Sequence, residues 1–115
     1  MKLNHLNLTV TDVAETSRFL QTYFGLRKMG GNNAMVFLRD ENGMVLALMK
    51  ARSGEEVVYP RSFHIGFIQP SEEEVNRINR QLRADGFDVA EPRHFHGSWT
   101  FYMQAPGGFV VEVLH

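Results

Sequence analysis

The chain has no cysteine. Disulfides, thiolate metal sites and thiol nucleophiles are therefore excluded, and any metal must be held by His, Asp or Glu, which points to hard or borderline ions. It also lacks a charge excess. With 12 basic against 13 acidic residues the formal net charge is -1, so there is no electrostatic footprint for nucleic acid or for an anionic membrane surface. No stretch approaches the ~18 apolar residues needed to span a bilayer, and the opening MKLNHLNLTVTDV alternates polar and apolar residues rather than forming the apolar core of a signal peptide. These absences lead us to expect a cytoplasmic protein with no nucleic-acid or membrane partner. What is present is enough apolar material, 43% of 115 residues, for one domain with a real core.

The pattern along the chain is a repeat of element order. Leu3 to Val10 alternates as a strand, with Leu6, Leu8 and Val10 on one face and His5, Asn7 and Thr9 on the other. Asp12 and Glu15 form a capping-box pattern, Phe19, Leu20, Tyr23 and Phe24 follow at helical spacing, and Gly25 stands at a C-cap position. Two apolar runs, Met35 to Asp40 and Met44 to Lys50, flank Glu41-Asn42-Gly43 as a hairpin, with Leu26 to Met29 as an additional strand candidate. The second half begins again with a strand from Phe63 to Ile68. Ser71 and Glu74 make a second capping box, Val75, Ile78 and Leu82 form a one-sided stripe, and Gly86 ends it. Phe87 to Ala90, Trp99 to Met103 and Phe109 to Leu114 read as extended, the last two joined by the turn Ala105-Pro106-Gly107-Gly108. Aligning the halves puts His5 on His64, Gly25 on Gly86 and Gly43 on Gly108. One domain over 1–115 is expected, with modules at about 1–55 and 60–115.

Glu112 sits in Phe109-Val110-Val111-Glu112-Val113-Leu114, where a carboxylate on an apolar face is costly without a cation. A solvent-facing edge strand is the alternative. His5 and His64 open equivalent strands, so repeat symmetry would bring both to a shared axis. The position equivalent to Glu112 in the first half is Ala47. Two His and one carboxylate, with the fourth ligand missing, make a facial triad suited to Fe(II) or Mn(II), with Zn, Ni or Co also compatible, and leave coordination positions open.

The HLNLTV segment with His5, the FHIGF segment with His64 and the APGGFVVEV segment with Glu112 resemble the vicinal oxygen chelate superfamily of glyoxalases, fosfomycin-resistance proteins, bleomycin-resistance proteins and extradiol dioxygenases. The resemblance implies an α+β fold in which two βαβββ modules form a cupped mixed sheet with helices outside. It implies a homodimer in which His5 of one subunit joins His64 and Glu112 of the other around one divalent metal, with a small-molecule substrate. Glyoxalase I-like lyases carry a carboxylate where this chain has Ala47, which disfavours that activity. The C-terminal segment is more similar to extradiol dioxygenases: His94, then Phe101-Tyr102, then Pro106-Gly107 and Glu112, with Pro92 a departure from their pattern. Proton transfer by His94 or His96 together with Tyr102 would follow, since imidazole and phenol are suitable donors and acceptors. A fosfomycin-type transferase is an alternative, with Lys50, Arg61 or Arg93 replacing the missing basic tail as anion clamp. A metal-free bleomycin-resistance-type binder is another, its groove lined by Phe37, Phe67, Phe95, Trp99, Phe101 and Tyr102.

Overall fold

A computed structural model describes all residues, 1–115. The first module is β1 (His5–Val10), α1 (Val13–Phe24), β2 (Arg27–Gly31), β3 (Met35–Arg39) and β4 (Val45–Lys50). The second is β5 (His64–Ile68), α2 (Glu72–Ala84), β6 (Arg93–Phe95), β7 (Ser98–Gln104) and β8 (Val110–Leu114). Each is a βαβββ unit with one four-stranded mixed sheet, ordered β1-β4-β3-β2 and β5-β8-β7-β6. The β2 strand falls close to the Leu26 to Met29 expectation. Phe87 to Ala90 does not form a strand, and the ladder partner of β7 is Arg93–Phe95 instead. The reason lies in the turn. His96 (φ 49) and Gly97 (φ 80) both take positive φ, the signature of a two-residue type I′ hairpin that fixes Phe95 opposite Ser98.

The helices start and stop where their caps dictate. Asp12 Oδ1 accepts from the Glu15 amide at 2.9 Å and Ser71 Oγ from the Glu74 amide at 3.1 Å. At the C-terminus of α1, Gly25 takes a left-handed φ of 66°. Beyond α2 the Phe87 amide reaches the Leu82 carbonyl and the Gly86 amide the Arg83 carbonyl, the bond pair of a Schellman motif.

The chain divides into two compact units, residues 1–59 with 105–109, and residues 60–104 with 110–115. The first unit buries Leu8, Val10, Val13, Leu20, Val36, Leu38 and Leu48 between α1 and its sheet. The turn Ala105–Phe109 belongs to this unit. The Thr11 amide donates to the Gly107 carbonyl, Thr16 Oγ1 donates to the Pro106 carbonyl, and Phe109 is buried. The second unit buries Val75, Ile78 and Leu82 of α2 against Phe101, Met103, Val111 and Val113. Within each sheet the face opposite the helix is the more open one, and it carries His5 and Asn7 in β1 and His64 and Gly66 in β5.

Candidate metal centre

The ladders make the two modules directly comparable. In the first, His5 pairs with Val45, and Asn7 with Ala47, which in turn pairs with Phe37. In the second, His64 pairs with Val110, and Gly66 with Glu112, which in turn pairs with Tyr102. Hydrogen-bond register therefore gives Ala47 as the counterpart of Glu112, as the sequence alignment of the halves does. Ala47 is buried and offers no ligand atom.

In the second unit, His64 Nε2 lies 3.3 Å from Glu112 Oε2. His64 Nδ1 is 2.9 Å from the Ser62 carbonyl oxygen, an acceptor only, so Nδ1 is the nitrogen that donates there and Nε2 is the one turned toward Glu112. Glu112 Oε1 accepts a 2.9 Å hydrogen bond from Thr100 Oγ1, which leaves Oε2 directed at the imidazole. Each of the two side chains thus has one atom tied back to the protein and one atom turned toward the other side chain. Two ligands at ~2.1 Å from one divalent ion stand about 3.0–3.4 Å apart, and the separation of this pair falls within that range. The outer partners Ser62 and Thr100 are of the kind that orient metal ligands. Gly66, beside Glu112, leaves the space open: a Cβ there would lie 3.7 Å from Glu112 Oε2, and any longer side chain would cover it.

Tyr102 closes this corner. Its ring meets the His64 ring edge-on, centroids 5.4 Å apart, and it stands directly opposite Glu112 across the ladder. Burial, and then the Glu112 carboxylate, push the phenol pKa up to about 12, partly offset by the positive charge of Arg93. The hydroxyl therefore keeps its proton at neutral pH.

The other expected residues are placed differently. Alternation along β7 puts Thr100 and Tyr102 on the Glu112 face and Trp99 and Phe101 on the helix face. His94 pairs with Trp99 and stacks on it at 4.8 Å, while Trp99 Nε1 donates to Asn76 Oδ1 of α2. His94 thus lies on the side of the sheet away from Glu112. His96 occupies the exposed hairpin tip, its ring 3.9 Å from Phe95. The aromatic set proposed for a drug groove is split in the same way: Phe95 and Tyr102 share the Glu112 face, whereas Trp99 and Phe101 lie on the other. In the first unit His5 is exposed on β1, its Nδ1 3.0 Å from Asn4 Oδ1. No three His, Asp or Glu side chains gather in the single chain. Thr100 was not singled out in the sequence, although its place two residues before Tyr102 puts it on the Glu112 face by alternation alone.

A family model described as Glyoxalase/Bleomycin resistance protein/Dioxygenase superfamily matches residues 2–113. The chain belongs to this superfamily. A solved structure described as a possible glyoxalase from Bacillus cereus is 49% identical, with TM-score 0.93, covering 100% of this chain and 99% of that one. Lactoylglutathione lyase from Agrobacterium tumefaciens shares the fold at 19% identity and TM-score 0.77, covering 98% of this chain and 92% of its own. The oxidase ChaP-H2 shares it at 24% and 0.80, covering 99% and 92%. No curated protein matches the chain. No helix of this superfamily member is long and apolar enough to cross a membrane.

Proposed function

We propose that this superfamily member is a divalent-metal-dependent enzyme acting on a small substrate through two adjacent oxygens, most like an extradiol-type dioxygenase. The observation that carries the reading is the His64–Glu112 pair, with Nε2 and Oε2 facing each other at 3.3 Å and outer bonds to Ser62 and Thr100. His64 and Glu112 would hold the ion from one chain and His5 of a second copy would complete the set in a homodimer, with Fe(II) or Mn(II) the best match to two imidazoles and a carboxylate. A bound divalent ion supplies Lewis-acid polarisation and a template for two substrate oxygens. The chain's own residues do the rest. Thr100 and Ser62 hold the ligands in one orientation, Gly66 leaves space for the substrate, and Tyr102, neutral and beside Glu112, donates a proton to the reacting oxygen. With His94 on the helix face, Tyr102 is the proton donor we assign.

Identity of 49% to a possible glyoxalase supports a second reading, an isomerase or lyase on a vicinal-oxygen substrate. Ala47 at the register position of Glu112 counts against the four-ligand form of that site. Metal analysis of protein purified without chelators, set beside His64→Ala, tests the shared premise. At least about one ion per two chains is expected, lost in the variant, and equal low content in both would refute it. Oxygen uptake with catechols then separates dioxygenation from isomerisation of hemithioacetals.

A further inference from the structure

The four strands of the second unit contain one Arg and no Lys: Arg93, at the start of β6. It pairs with Thr100 across the ladder and therefore projects from the face that carries Glu112 and Tyr102. Its guanidinium carbon lies 4.5 Å from the centre of the Phe95 ring, and that ring lies 6.3 Å from Tyr102. The ion pairs of the chain are His64–Glu112, Arg77–Glu74, Arg80–Glu73 and Arg83–Glu91. Arg93 is in none of them. A planar group with five donors is thus held over an aromatic ring, on the metal-binding face, without a carboxylate partner.

The spacing defines what fits. From Glu112 to Arg93 the sheet steps across two strand spacings of ~4.8 Å and along one two-residue repeat of ~6.7 Å, so the Cα atoms stand about 12 Å apart. Both side chains extend from the same face, which also carries Thr100, Tyr102 and Phe95. A ligand chelated at His64 and Glu112 would need one planar ring and a short arm to bring an anionic group to the guanidinium. We propose that Arg93 is a specificity-determining residue that selects substrates bearing a carboxylate, the substrate class being an aromatic vicinal diol with an acidic side arm. This assignment rests on His64 and Glu112 forming the chelating end.

The test is anaerobic calorimetric titration of dihydroxyphenylacetic acid and its methyl ester into Mn(II)-loaded wild type, Arg93→Gln and Arg93→Lys, repeated after removal of metal with EDTA. A lost charge-assisted hydrogen bond corresponds to roughly 10- to 100-fold. The wild type should therefore prefer the acid by about that factor, Arg93→Gln should bring the acid-to-ester ratio toward one, and Arg93→Lys should keep part of it. An equal ratio in wild type and Arg93→Gln, or no binding of either ligand, overturns the proposal. Failure of the chelation reading shows separately. If EDTA leaves both affinities unchanged, the metal premise falls, while the acid-to-ester ratio still reports on Arg93.

Discussion

Replacing Thr100 with Val changes one hydroxyl into a methyl group at a position with 0% exposure. The hydroxyl lies 2.9 Å from both Glu112 Oε1 and the Val113 carbonyl, and its one proton can serve only one of them at a time. The Glu112 side chain is 12% exposed, so water replaces a lost donor poorly. A hydrogen bond to a charged acceptor contributes about 1.5–3 kcal/mol, and the added buried methyl returns up to ~0.8 kcal/mol. The net loss should be about 1–2 kcal/mol, which for a chain of this size lowers Tm by about 4–8 °C. Freed from Thr100, Glu112 can swing away from His64, and loss of such an outer partner typically weakens metal binding 10- to 100-fold. Thermal unfolding followed by circular dichroism in chelator reads the first quantity, and calorimetric Mn(II) titration reads the second. Thr100→Ser should keep both near wild type. A Thr100→Val protein with Tm within about 1 °C and metal affinity within about twofold of wild type would refute the reasoning.

Two further outcomes are expected. Tyr59 donates to the Thr9 carbonyl and burial raises its pKa, while Tyr102 is raised to about 12. The stability each contributes is therefore fully present below the ordinary phenol value near 10 and is lost as pH rises through the folded value. In an alkaline absorbance titration Tyr102→Phe should remove the phenol titrating near 12, and an unchanged curve would contradict this placement. Gly107 has φ 106°, and a Cβ there would meet Thr16 Oγ1 at 2.5 Å, whereas Gly54 at φ 79° faces open space. Gly107→Ala should cost about 2–4 kcal/mol in urea unfolding against about 1 for Gly54→Ala. Equal costs would show that the turn does not pack on Thr16 as described.

Local chemistry was legible in the sequence because it depends on residues a few positions apart. Asp12 and Ser71 cap their helices, Gly25 and Gly86 end them, and Gly43 makes its hairpin. Strand alternation separated His5 and His64 from the apolar residues packed under the helices. The repeat landmarks were enough to set Ala47 against Glu112, which the ladders reproduce. The strand at Arg93–Phe95 was missed because it is short, exposed and polar, and because it is set by a type I′ turn with a histidine at positive φ, where Asn or Gly is the usual signal.

What the sequence by itself determined was the βαβββ order of each module and the three segments that carry His5, His64 and Glu112, since periodicity and capping are encoded within short windows. Only the tertiary structure decided which side of the sheet each chemical group occupies. A one-residue change of register inverts a strand's faces, so a hairpin turn put His94 against Trp99 and left Arg93 on the face that carries Tyr102 and Glu112. Tertiary packing also decided that the turn at Ala105–Phe109 lies against Thr11 and Thr16, far away along the chain, because contacts between distant segments leave no periodic mark in either one.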